Sequence, residues 1–245
     1  MNLPISSTSL ICLGFSSLVL SLTGGCVMPG QKPALSSSVE AQVSECDDEA
    51  LIDDGEDNNN QGAVKAGRGG YWYTYVDDMG STVNPPAGSV GGQFTMSEGG
   101  AQNSQFAARM NGVLASGGVT FGAMGVNFTD PKDVYDASKY GGVSFWAKRG
   151  AGSIDTVRIK MPDTNTDPEG ENCSKCFDDF GTDITVTESW RKFVVPFSNL
   201  RQQGWGDKKR TVDKGQSFGL QWQAQVPGAS YDIWIDDIRF VGCEG

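Results

Sequence analysis

The most regular hydrophobic pattern lies at the end of the chain, in residues 218–243. Leu220 and Trp222 alternate there with Gln221 and Gln223. After a Pro-Gly turn, Ile233 and Ile235 alternate with Asp232, Trp234 and Asp236. Alternation with period two marks a strand with one buried and one free face. The free faces carry amides, an indole and carboxylates, which suit a recognition surface. Asp236-Asp237 interrupts the pattern, and Ile238 and Phe240 resume it one register later, so a bulge is predicted at the carboxylate pair.

The same reading predicts strands along the rest of the chain. Residues 50–52 form a short one, followed by an acidic loop. Residues 69–76 form an aromatic one, with Trp72 facing opposite to Tyr71 and Tyr73. One aromatic set is then core, and the other is either edge cover or a ligand platform. Residues 105–114 and 119–128 read as glycine-broken strands, because Gly112, Gly117 and Gly118 would each cost a helix about 1 kcal/mol. In residues 142–148, Val143, Phe145 and Ala147 oppose Ser144, Trp146 and Lys148. In residues 156–161, Val157, Ile159 and Met161 oppose Arg158 and Lys160. Residues 184–186 and 190–197 complete the set, and residues 133–139 leave room for one helical turn. Residues 77–92, 162–181 and 198–210 are loops, and loops this long are usually functional or stapled. With 33 glycines and no long amphipathic pattern, the fold class is all-β.

Composition narrows the chemistry. The net charge of −11 disfavours nucleic acid, whose phosphates need a basic patch. It leaves neutral ligands and cations as the easier partners. The chain has no histidine, which removes Ser-His-Asp and Cys-His catalysis and His-ligated zinc or iron. Carboxylate-only chemistry such as glycoside hydrolysis survives that test.

Residues 9–22 are apolar but too short to span a bilayer comfortably. They end in Leu22-Thr23-Gly24-Gly25-Cys26, which resembles a bacterial lipobox. The expectation is a signal peptide over residues 1–25, with Cys26 lipidated, and export to the outer membrane or cell surface. An ordinary secretory signal is the alternative, because the first residues carry no Lys or Arg. The N-terminal lipid is then the only membrane contact. Residues 26–49, rich in Ser, Gln, Pro and acid, read as a disordered tether, and residues 50–245 as one domain. Cys12 goes with the leader and Cys26 takes the lipid. Cys46, Cys173, Cys176 and Cys243 remain, an even number in an oxidising compartment. A Cys46–Cys243 bridge would clasp the ends of the domain, and Cys173–Cys176 would staple a loop. A redox or zinc role for Cys-Ser-Lys-Cys lacks a second such motif and any histidine.

The motifs LIDDGED, GGYWYTY, VSFWAKRG, VRIKMPD, ESWRKFVVPFSNL and YDIWIDDIRFVG, in that order, resemble the galactose-binding-like jelly rolls. In particular they are similar to family 11 carbohydrate-binding modules and to complex I intermediate-associated protein-like domains. The resemblance covers residues 50–242. It implies a two-sheet β-sandwich that binds a polysaccharide or oligosaccharide without catalysis, as a monomer. It also implies structural calcium, carried here by Asp53, Glu56 and Asp236. The binding face it implies takes the outward residues Trp146, Arg158, Gln221, Gln223 and Trp234. Loop residues Trp72, Tyr73, Asp178, Asp179, Gln203 and Trp205 would join them. Trp222 falls where glucan modules carry a binding aromatic, although its alternation with Leu220 points inward. Two other functions fit the sequence. One is a glycoside hydrolase or lyase using Asp178, Asp179 or Glu188. The other is a protein-binding assembly factor, which requires a flat apolar patch.

Overall fold

The computed structural model describes residues 46–88 and 94–243. The signal segment, Cys26 and most of the tether lie outside the described residues. Eleven strands run in chain order: β1 Leu51–Asp53, β2 Trp72–Val76, β3 Ser97–Glu98, β4 Phe106–Val113, β5 Gly122–Asn127 and β6 Gly142–Arg149. They continue with β7 Thr156–Met161, β8 Phe180–Thr185, β9 Arg191–Pro196, β10 Gly219–Ala224 and β11 Ser230–Val241. They form two antiparallel sheets. The first is ordered β3-β4-β11-β6-β9, with β1 also on β11; the second is β2-β5-β10-β7-β8.

The alternation predicted from sequence sets which residues meet between the sheets. Ile233 and Ile235 of β11 and Val143, Phe145 and Ala147 of β6 point inward, against Leu220 and Trp222 of β10 and Val157 and Ile159 of β7. Trp72 stacks on Phe94 at 5.3 Å and on Trp222 at 5.9 Å, and Phe145 meets Trp222 edge-on at 5.4 Å. Each such fully buried large side chain contributes about 1.5–3 kcal/mol. The bulge expected at Asp236-Asp237 is present. The β11–β6 register shifts between Asp236 and Arg239, and Asp237 takes φ 45°. Both expected disulfides form, Cys46–Cys243 and Cys173–Cys176, with Cα–Cα separations of 5.8 Å and 5.2 Å.

β10 and β11 do not pair with each other; the Pro-Gly turn carries the chain from one sheet to the other. Two details differ from the sequence reading. Residues 133–139 make no helical turn, because Tyr135 forms a β-bridge with Ser217. β8 begins at Phe180, four residues earlier than expected, as Met161 of β7 pairs with it.

Candidate functional site

The outer face of the second sheet is a groove of about 610 Å³. Its shape follows from the residues that share the outward parity of each strand. Tyr73 and Tyr75 of β2 lie opposite Gly125 and Ala123 of β5, which lie opposite Gln221 and Gln223 of β10. Those two glutamines lie opposite Lys160 and Arg158 of β7. The small pair on β5 lies beneath the floor, which the tyrosine and glutamine side chains make. A Cβ at Gly125 would sit 2.7 Å from the Tyr73 hydroxyl oxygen, so only glycine lets that ring lie down over the sheet. Val119 and Phe121 form one wall, and Phe177, Gln203 and Trp205 form the other. Phe177 and Trp205 are 58% and 56% exposed, leaving apolar rings open to a ligand.

The floor has a fixed hydrogen-bond polarity. The Tyr75 hydroxyl donates to Gln221 Oε1 at 2.7 Å, and Gln221 Nε2 donates to the Tyr73 hydroxyl at 2.9 Å. Tyr73 therefore keeps its own proton for a ligand oxygen. Burial pushes both phenols well above the usual tyrosine range, so they stay neutral at any working pH. Beside them Lys160 Nζ meets Asp179 Oδ2 at 2.7 Å, with both side chains almost sealed. Asp179 Oδ1 has no hydrogen-bond partner among the described residues. Lys132 lies in the lining, neutralised by Asp167 at 2.8 Å and Glu169 at 3.3 Å. The groove thus offers amides, phenols and paired charges, with no uncompensated cation.

The second wall is held by Asp178. Its carboxylate accepts from the backbone N–H groups of Gln203, Gly204 and Gly206 at 2.8, 2.8 and 3.0 Å. Asp207 fastens the same two loops from the other side, accepting from the N–H groups of Ser174 and Lys175. The Cys173–Cys176 bridge closes the strap that carries Phe177.

Six of the residues expected from sequence come together here: Tyr73, Asp179, Gln203, Trp205, Gln221 and Gln223. The others are elsewhere. Trp72 and Trp222 are 1% and 0% exposed and belong to the core, because each shares the inward parity of its strand. Asp178 is buried as the loop anchor. Arg158 has the outward parity but is covered, bonded to Asp183 Oδ1 and the Arg201 carbonyl. Trp146 and Trp234 project from β6 and β11, on the outer face of the first sheet. Sequence reasoning missed Tyr75, Phe121, Phe177, Lys132, Lys160 and Gln225. Tyr75 and Lys160 carried a signal, since period two puts them on the faces of Tyr73 and Arg158.

The residues expected to hold calcium do not fit a common ligand set. Asp53 accepts from the Gly55 N–H and the Trp72 indole N–H, Glu56 from the N–H groups of Gln105 and Phe106, and Asp236 from those of Ala101 and Asp237. Among the described residues no group of three or more His, Cys, Asp or Glu could hold a metal ion. The acids considered for hydrolysis are likewise engaged. Asp178 holds a loop, Asp179 is paired with Lys160, and Glu188 pairs with Arg149 at 3.3 Å outside the groove.

Comparison with known proteins bears on the family and the fold. Residues 90–242 match the family model of carbohydrate binding domain 30. A stretch of 177 residues, 71% of this chain, is 25% identical to endoglucanase 3 of Fibrobacter succinogenes, and it spans only 24% of that relative's length. The family 11 carbohydrate-binding module from Clostridium thermocellum, solved with a β-1,3-1,4-mixed-linked tetrasaccharide, superposes with a TM-score of 0.54 at 17% identity. That match covers 79% of this chain and 95% of that one. The family 30 module of a cellulosomal cellulase of the same organism gives a TM-score of 0.50 at 14% identity, over 78% and 95% of the two chains. These structures establish the shared β-sandwich fold.

Proposed function

We propose, from the premise that this chain belongs to the carbohydrate binding domain 30 family, that the groove on its second sheet is where it holds a neutral polysaccharide chain. Membership makes the protein a carbohydrate-binding module without catalysis of its own. The observation that carries the site assignment is the row Tyr73–Gln221–Tyr75, set between exposed aromatic rings. Sugar rings stack their C–H faces on aromatics, while amide and phenol groups satisfy their hydroxyls. The concave, aromatic-lined form of the face, at about 610 Å³, supports a ligand groove over the flat apolar patch that an assembly factor needs.

The solved family 11 module holds a β-1,3-1,4-mixed-linked tetrasaccharide, which makes mixed-linked β-glucan the first ligand to test. Calorimetric titration with that glucan, and with a xylan and a galactan as comparators, decides the matter. Saturable binding to one of them that is lost in Tyr73→Ala and in Trp205→Ala supports the groove. Binding that survives both variants removes it.

Two disulfides support export to an oxidising compartment. Attachment through a lipid on Cys26, with the domain acting as a monomer at the cell surface, completes the reading. Mass spectrometry of the mature N-terminus and sedimentation of the soluble domain test these two points. An N-terminus other than an acylated Cys26 rules out the anchor, and a dimer at working concentration rules out the monomer.

A further inference from the structure

The outer face of the first sheet carries a second array of aromatic and charged groups. Arg109 of β4, Trp234 of β11 and Lys148 of β6 are neighbours in register, and Trp190 precedes β9 beside them. Arg109 lies 4.4 Å from the Trp234 ring centroid, and Lys148 lies 4.4 Å from the same centroid and 4.8 Å from that of Trp190. Cation and ring therefore alternate across three strands and the residue that leads into β9.

The charges in this row are unequally satisfied. Arg109 is held by Asp232 through two bonds of 2.8 Å. Lys148 has no carboxylate at ion-pair distance among the described residues. Burial lowers its pKa, Asp232 opposes that shift, and Arg109 adds to it more weakly. On a chain of net charge −11 this is a cation without an ion-pair partner among the described residues. Trp146 lies two residues before Lys148 on the same face of β6, half-buried and opposite Lys192 of β9.

We propose that this face is a second glycan-binding surface, for acidic polysaccharides, in which Lys148 takes a uronate carboxylate and Trp146 packs against the sugar ring. Charge complementarity selects the ligand. The groove on the other sheet has its lysines paired, whereas on this face Asp232 is taken by Arg109 and Lys148 has no ion-pair partner among the described residues. A neutral glycan would gain little, because Trp234 has a cation over its ring from each neighbouring strand. The Lys148 ammonium also lies against two indoles, so a ligand that reaches it meets aromatic rings as well as charge. Attraction of this kind is screened by salt.

The test is titration of the whole protein with polygalacturonate at about 50 mM and about 500 mM salt, the two sides of the screening range. The expected result is saturable binding that weakens at least about ten-fold at high salt, as screening requires. Lys148→Met should weaken it at least as much, and Lys148→Arg should retain it. Tyr73→Ala should leave it unchanged, and Lys148→Met should leave neutral glucan binding unchanged, so the two faces fail independently. Melting curves show whether each variant is folded. No binding at low salt overturns the proposal, as does equal binding by Lys148→Met. Binding to vesicles of anionic phospholipid as tight as to polygalacturonate also overturns it, in favour of a membrane surface.

Discussion

Lys160 and Asp179 meet 2.7 Å apart at the base of the groove, both nearly sealed from solvent, and one buried oxygen of Asp179 has no hydrogen-bond partner among the described residues. The pair is therefore a structural element that holds the base of the groove. Removing one partner of a buried pair leaves an uncompensated charge, at about 3–5 kcal/mol. Asp179→Ala should lower stability by that order and abolish glycan binding. The isosteric Asp179→Asn should cost less stability and still weaken binding, because an amide no longer fixes the Lys160 ammonium by charge. Denaturant titration together with calorimetry separates the two effects, and an Asp179→Asn protein with undiminished affinity shows that the ion pair does not shape the groove.

Gly125 and Tyr73 make a sharper test of the floor. A side chain at Gly125 must displace the Tyr73 ring and press on β10, since a Cβ there would lie 2.7 Å from the Tyr73 hydroxyl oxygen and 2.8 Å from the Leu220 carbonyl oxygen. Gly125→Val should weaken binding as much as Tyr73→Ala, at a stability cost of about 1–3 kcal/mol for overpacking. Tyr73→Phe keeps the ring and removes one donor, so it should have a smaller effect than either.

Asp178 should act on the ligand through Trp205. Its three backbone acceptor bonds hold residues 203–206, so Asp178→Ala leaves three N–H groups without their partner. The expected outcome is weaker binding with increased exposure of Trp205 to a fluorescence quencher. That increase should be absent in a Trp205→Phe background. Opening the Cys173–Cys176 bridge with a mild reductant should act in the same direction. If the reduced protein binds as tightly as the oxidised one, the strap is not needed to shape the wall.

The carboxyl of Asp53 gives a stability profile with a defined sign. Burial, opposed by the Trp72 and Gly55 N–H donors, raises its pKa from 3.8 to about 7, and burial raises that of Asp236 to about 6. Between about pH 4 and these values the folded state binds protons that the unfolded chain has released. Stability contributed by the protonated forms is then lost as pH rises towards 7. Asp53→Asn should flatten the fall in melting temperature across that window. A bound calcium would reverse it by favouring the ionised carboxylates. Melting curves in chelator and in millimolar calcium should therefore coincide; a rise with calcium near pH 7 would restore the ligand set read from sequence.

Much of the inside and outside of this protein was legible in the chain. Period two along residues 220–223 and 233–235 placed Leu220, Trp222, Ile233 and Ile235 in the core, and the break at Asp236 marked the bulge. The same rule assigned Gln221 and Gln223 to a free face, set Tyr73 on the face opposite to Trp72, and argued against Trp222 as a ligand contact. The cysteines that bracket the domain were read as partners, and they are. Alternation is a property of each strand alone, fixed by the pleat, and so needs no partner to be seen.

Which free faces belong together was decided by the tertiary structure. Gln221 and Trp234 both point outward from the two closing strands, yet β10 and β11 lie in opposite sheets, so the residues look out from opposite sides of the sandwich. Strand order depends on long-range pairing, which local pattern does not encode. The burial of Arg158 and Asp178 beneath loops, and the arrival of Phe177, Lys132 and Gln203 at one groove, depend on that order as well. Polarity along the chain therefore determined which residues lie inside and which outside, and the pairing of its strands determined how the outward residues divide between the two faces of the sandwich.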